Sequence, residues 1–372
     1  MQPTKGVSMT NDSNARAPRP NALTRRVMVG GVPMGGGAPC VVQSMLNAPA
    51  DDVAANLAQI ETLAEAGCEV VRMAIPRRAC LDAFESVCAK SLLPVVADIH
   101  FDAQIAIEAA RRGAAKLRIN PGNIGGWEKT DAVIEAAREA GIPIRIGVNA
   151  GSLDERLKAR TDLTLPEKLA ASVEEYVAHF EERGFHDVVA SAKAHDVMTT
   201  VETYRILSRA IPNVPLHIGI TEAGTLLQGV VKSAGGLGIL LEEGIGDTMR
   251  ISLTDEPAAE VRACWMLLSA LDLRRRGPEI ISCPTCGRCQ VDLIDLAKRV
   301  DERLARCDVP IKVAVMGCVV NGPGEAADAD LGVACGAGSG VIFAKGKVLR
   351  KVDEGGIVDA LSEEIENLEI KG

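Results

Sequence analysis

From residue 39 to residue 253 one pattern recurs eight times: a short run rich in β-branched residues, then a longer amphipathic stretch. The runs occupy residues 39–45, 69–74, 94–100, 115–120, 142–148, 186–193, 214–220 and 248–253. Between them, segments such as 51–66, 102–112, 127–140, 166–184 and 196–210 repeat their apolar residues at helical spacing. Gly67, Gly113, Gly141 and Gly184 fall where helices should stop, as left-handed caps require. Strands that alternate with helices imply parallel βαβ units, and eight of them imply a closed (β/α)8 barrel of the TIM type. An open, doubly wound sheet would want G-x-G-x-x-G after its first strand, and none is there.

Past residue 277 the texture changes. Residues 282–289 carry clustered cysteines, 291–306 read as a helix, and 311–316 as a strand running into Gly317-Cys318. Residues 341–352 read as a hairpin turning near Lys345-Gly346-Lys347, and 356–368 as a closing helix. This predicts a small α/β domain built around a metal. We therefore expect a disordered tail over 1–22, a barrel over 23–272 and the metal domain over 273–372, with a hinge at 271–277. The Arg274-Arg275-Arg276 run in that hinge reads as a solvated helix end. The tail is polar and lacks the apolar core of a signal peptide, and Met9 is an alternative start.

In such a barrel, chemistry gathers at the C-terminal ends of the strands. Those ends carry Ser44, Arg72, Asp98, His100, Arg118, Arg145, Asn149, Lys193, Glu222 and Arg250. Asp98 and His100 lie two apart, as do Arg118 and Asn120, so each pair shares a face. Five cations at one mouth call for an anionic ligand, and guanidinium forks match phosphate oxygens in pairs. A phosphorylated or diphosphorylated small molecule is the expected substrate; the alternative is a structural network with Asp98, Glu222 and Asp247. His195 and His217 stay unassigned. With a net charge of −9 and only 2% aromatic residues, the chain lacks the basic surface and stacking rings of a nucleic-acid binder. It also has no apolar run long enough for a membrane span.

Eleven cysteines without an export signal suggest a reducing, cytoplasmic setting in which thiols bind metal or sit buried. Cys283, Cys286 and Cys289 form a C-x-x-C-x-x-C run, and Cys318 sits on a distant Gly-rich loop. Four thiolates suit either a structural zinc or a [4Fe–4S] cluster, and spacing alone does not choose between them.

Segments 96–102, 117–125, 144–152, 219–224, 244–248, 283–286 and 317–325 closely resemble the IspG (GcpE) family of 4-hydroxy-3-methylbut-2-en-1-yl diphosphate synthases, in its bacterial two-domain form. The resemblance spans about residues 24–365. It implies a [4Fe–4S] cluster held by Cys283, Cys286, Cys318 and Glu325, with Cys289 outside the set. A carboxylate is a harder and more easily displaced ligand than a thiolate. The resemblance also implies the substrate 2-C-methyl-D-erythritol 2,4-cyclodiphosphate and two electrons from flavodoxin or ferredoxin. It implies a head-to-tail homodimer as well. On this reading Arg72, Arg118, Arg145 and Lys193 clamp the diphosphate. Asn149, Asp98, His100, Ser44 and Arg250 shape the pocket, and Glu222 is the candidate proton donor. The rival classes are a zinc-stapled barrel lyase or synthase for a phosphorylated or pterin substrate, and a non-catalytic electron carrier.

Overall fold

The computed structural model describes residues 23–304, 307, 309–318, 326 and 329–369; the expected tail and Glu325 lie outside the described residues. The chain divides into two compact units, 1–64 with 68–264 and 65–67 with 265–372.

The first unit opens with a hairpin of β1 (Val27–Val29) and β2 (Val32–Met34). It turns on Gly30 and Gly31, both at positive φ as a tight two-residue turn demands. Then come β3 (Val41–Met45), α1 (Val53–Glu65), β4 (Val70–Ala74), α2 (Leu81–Lys90), β5 (Val95–Ile99), α3 (Ala103–Arg111) and β6 (Lys116–Ile119). The short α4 (Pro121–Ile124) leads to α5 (Trp127–Ala140), β7 (Ile144–Asn149), the short α6 (Glu155–Lys158), α7 (Leu165–Glu182), β8 (Val188–Lys193) and α8 (Val197–Ala210). The unit ends with β9 (His217–Ile218), α9 (Leu226–Glu242), β10 (Thr248–Met249) and α10 (Pro257–Ala270), of which residues 265–270 fall in the second unit.

The eight strands run in the order β8-β7-β6-β5-β4-β3-β10-β9, all parallel. A parallel bridge between Ala190 and Leu216 joins the two ends, so the ring closes as expected. Gly141 caps α5 in the left-handed region, and Gly67, Gly113 and Gly184 share its positive φ. Two strands are shorter than the sequence suggests, because carboxylates take their amides. Asp247 accepts from Leu216 N at 2.8 Å and Glu260 from Leu253 N at 3.0 Å.

Asp247 also accepts from Thr24 Oγ1 at 3.0 Å. Burial pushes its carboxyl up to about 6, although both hydrogen bonds pull the other way. The native state thus holds a proton that the unfolded chain has already released near pH 4 to 6. Its contribution to stability is greatest below that window and is lost as pH rises through it. Across that range wild type should lose roughly 3 kcal/mol relative to Asp247→Asn, read from denaturant midpoints at pH 4 and pH 7.

The second unit is a five-stranded sheet of β11 (Glu279–Ser282), β12 (Lys312–Met316), β13 (Leu331–Gly336), β14 (Ser339–Ala344) and β15 (Lys347–Asp353), in that order. The first three are parallel and the last three antiparallel. Alternation sends Val313, Val315, Val333 and Ile342 to one face, under Leu293, Leu296, Val300 and Leu304 of α11 (Leu293–Leu304) and Ile357, Leu361 and Ile365 of α12 (Ile357–Glu369). Ala314, Met316, Ala334 and Phe343 form a separate cluster with Ala326 and Ala329.

Candidate active site

Barrel strands alternate between an aliphatic outer face and an inner face that here is polar. On β7, Ile144, Ile146 and Val148 alternate with Arg145, Gly147 and Asn149. On β6, Leu117 and Ile119 alternate with Lys116 and Arg118. Bulky aliphatic layers usually fill this space; cations occupy it instead.

Register brings the neighbours together. Asp98 pairs with Arg118, Arg118 with Arg145, Gly147 with Ser191 and Asn149 with Lys193. Asp98 is the hub. Its Oδ1 accepts from Arg118 NH1 at 3.0 Å, and its Oδ2 lies 3.4 Å from Arg72 Nε and 3.5 Å from His100 Nε2. Burial alone would raise the Asp98 carboxyl, but Arg72, the His100 hydrogen bond and Arg118 outweigh it and hold it well below the usual range. For Arg72, burial and the neighbouring Arg250 and Arg118 outweigh Asp98 and lower it to about 10.

Arg250 is spent differently. Glu260 on α10 takes both its Nε and NH2 at 2.9 Å and also accepts from Ser44 Oγ at 3.1 Å. Asp247 is engaged with Thr24 and Leu216 instead, so Glu260, the second buried carboxylate beside these cations, is one the sequence reading missed. The available signal was a single acidic residue within the mostly apolar stretch 257–268.

Arg145 and Lys193 have no carboxylate at ion-pair distance among the described residues. Arg145 NH1 reaches only Ser191 Oγ, at 3.4 Å, and Lys193 Nζ stands 3.2 Å from His217 Nε2. Burial first, then the surrounding cations, pushes both well below their ordinary values. Among the described residues the Nε atoms of Arg118 and Arg145 and both ends of the Gln43 amide are buried without a hydrogen-bond partner, and Arg72 Nε has only its ion pair with Asp98. Such polar atoms are costly to bury unless something meets them. The strand ends thus form a cationic wall with spare donors, suited to a compact polyanion.

Asn149 stands half-buried at the end of β7, and His100 is exposed past β5. Glu222 is exposed after β9 at φ 53, a left-handed backbone that L-residues rarely adopt. A separate cavity of about 440 Å³, lined by Trp127, Arg156, Glu175 and Tyr176 among others, holds none of these groups, and Glu175 already occupies its Arg156.

Gly147 makes room for Arg118: a Cβ there would lie 2.7 Å from Arg118 Nε. Gly147→Ala should displace the guanidinium from Asp98, costing about 1–3 kcal/mol of stability. In a ligand-binding assay it should weaken polyanion affinity by about ten-fold.

The cysteines are gathered by the second sheet. Parallel pairing of β11 with β12, Ser282 opposite Val315, carries Cys283 and the Gly317-Cys318 segment to the same strand end. Gly317 N donates to Cys283 Sγ at 3.4 Å, the kind of contact that stabilises a metal-bound thiolate. Cys286 is exposed and Cys318 half-buried. Cys289 lies close by: its Sγ donates to Val291 O at 3.2 Å, and a Cβ at Gly317 would stand 2.6 Å from that sulfur. Among the described residues no three His, Cys, Asp or Glu side chains close around one point. The donor set of this sheet end (two adjacent cysteine segments, one backbone N–H on a thiol) suits a thiolate-bound metal centre.

A family model described as the GcpE TIM-barrel domain matches residues 24–265, and one described as the GcpE protein C-terminal domain matches residues 279–367. A Geobacter sulfurreducens protein named 4-hydroxy-3-methylbut-2-en-1-yl diphosphate synthase (flavodoxin) is 51% identical over 347 residues, covering 93% of this chain and 98% of that one. Proteins of the same name are similar in Maridesulfovibrio salexigens, at 51% identity over 88% of this chain and 92% of that one, and in Clostridium perfringens, at 49% over 93% and 99%. The solved dihydropteroate synthase of Stenotrophomonas maltophilia is similar with a TM-score of 0.49 and 17% identity, over 67% of this chain and 98% of that one, a likeness too distant to bear on function.

Proposed function

This chain belongs to the GcpE family, and from that premise we propose that it is a 4-hydroxy-3-methylbut-2-en-1-yl diphosphate synthase. It takes 2-C-methyl-D-erythritol 2,4-cyclodiphosphate, opens the ring by cleaving a carbon–oxygen bond to the diphosphate, and removes one hydroxyl oxygen as water. Two electrons and the accompanying protons balance the change. The observation that carries this reading is the buried cationic wall, in which Arg145 and Lys193 have no carboxylate at ion-pair distance among the described residues.

Arg72, Arg118, Arg145 and Lys193 hold the diphosphate and offset the charge that opposes adding electrons beside it. Asp98 fixes Arg72 and Arg118 in place, while Glu260 fixes Arg250 and Ser44. Asn149, His100 and Ser44 complete the pocket. Glu222 serves as proton donor, a role supported by its strained backbone on the loop beyond β9.

Cys283, Cys286, Cys318 and Glu325 would hold a [4Fe–4S] cluster, which supplies electrons one at a time when bound. The relatives' names favour flavodoxin as donor over ferredoxin. We take residues 23–272 as the substrate-binding part and 273–372 as the cluster-bearing part. Resemblance to the family supports a head-to-tail homodimer. Among the described residues no helix is long and apolar enough to cross a membrane; a cytoplasmic location is part of the same proposal.

The test uses protein purified without air. Iron, acid-labile sulfide and an optical spectrum are measured beside conversion of the cyclic diphosphate by reduced flavodoxin. Stoichiometric zinc without sulfide, or an unchanged substrate, would sink the reading. Glu325→Ala should retain most of the iron yet lose most of the turnover.

A further inference from the structure

His217 has none of the roles assigned above. It is fully buried on β9, with Nε2 3.2 Å from Lys193 Nζ on β8 and Nδ1 3.3 Å from Thr248 Oγ1 on β10. Its own carbonyl accepts from Tyr204 OH at 2.6 Å, so the backbone that carries the ring is held from α8. An ammonium offers donors only, and a neutral imidazole has one donor and one acceptor. With Lys193 as the ammonium that a diphosphate would meet, Nε2 accepts from it, which leaves the ring proton on Nδ1, facing Thr248 Oγ1. A second proton on the ring would add a cation beside Lys193, Arg145, Lys116 and Arg72. Burial, then those same charges, holds the imidazole well below its ordinary value. Gly219 completes the cradle, since a Cβ there would sit 2.5 Å from Lys193 Nζ.

We propose that His217 is the positioning residue for Lys193: it acts on the substrate only through the lysine, by fixing where the ammonium meets the diphosphate. The inference rests on the barrel mouth being a diphosphate site. A lysine is a flexible point charge, unlike the forked arginines around it, and needs an acceptor behind it to stand still.

Binding of inorganic pyrophosphate to the cluster-loaded full chain, followed by calorimetry at one fixed pH, tests this. His217→Leu should weaken binding about ten-fold or more, and His217→Gln, which keeps an acceptor, should recover most of the loss. In a Lys193→Met background neither substitution should matter, because no ammonium remains to be placed. If His217→Leu does not fold, Thr248→Val replaces it. That variant should weaken binding about three-fold, again only when Lys193 is present. Wild-type affinity in His217→Leu (or in Thr248→Val, where that stands in), or a loss that persists without Lys193, would overturn the inference alone. If wild type fails to bind pyrophosphate, the reading of the mouth falls and the inference with it.

Discussion

Arg145→Met should give a protein that melts later and turns over far more slowly. Arg145 is fully buried on β7; among the described residues its NH1 meets a serine hydroxyl at 3.4 Å and its Nε has no hydrogen-bond partner. Placing an ion there is opposed by burial and then by Arg72 and Arg118, which is why its protonated form is disfavoured. Replacing such a charge with an apolar side chain of similar length removes that cost, a change expected to stabilise by about 1–3 kcal/mol. The same charge is what the bound diphosphate requires, so kcat/KM should fall by about 10³-fold. Thermal unfolding and steady-state assay on one preparation decide the matter. A variant that loses both stability and activity would show that Arg145 is a structural ion, paired in a way its surroundings do not reveal.

Cys318→Ala should be more severe for activity and nearly silent for the barrel. Cys318 and Cys283 leave adjacent parallel strands at the same end, so the two thiols are carried to one side of the sheet. Loss of one thiolate should reduce retained iron to a small fraction, as ligand loss does at other metal centres, and turnover should drop below detection. Cys289→Ser is the contrast. That thiol donates to the Val291 carbonyl and lies outside the ligand set the resemblance implies, so its loss should leave iron content near wild type. Equal iron loss in the two variants would return Cys289 to the ligand set.

The barrel was legible because parallel strands and their helices write different periods into the sequence, and because glycines mark the helix ends. The N-terminal hairpin went unread although Gly30-Gly31 announces its turn; its strands have only three residues each, too few for a period to register. β13 was missed for another reason. Its Leu-Gly-Val-Ala-Cys-Gly sequence is small because Phe343 packs over it; a Cβ at Gly332 would lie 2.5 Å from that ring. The cations of the mouth stood out because arginine is unusual inside β-branched runs. Glu260 did not stand out, because a glutamate on a helix is ordinary until its burial is known. Spacing offered Cys289 as a ligand, and the packing keeps its sulfur beside Gly317, so its exclusion rests on the family resemblance.

The ring of eight strands is not equally strong around its circumference. β7 and β8 pair over six residues, but β9 and β10 pair over two, and a single bridge links β8 to the segment before β9. At that seam Tyr204 OH ties the two sides, donating to His217 O while accepting from Ala192 N at 3.2 Å. Amide hydrogens of β9 and β10 should therefore exchange with solvent ahead of those in β7, because opening there breaks fewer bonds. Lys193 and His217 face each other across the same seam. An anion that seizes the lysine would thus also close the weakest joint of the barrel, and slower exchange in β9 would report occupancy of the site without any chemistry taking place.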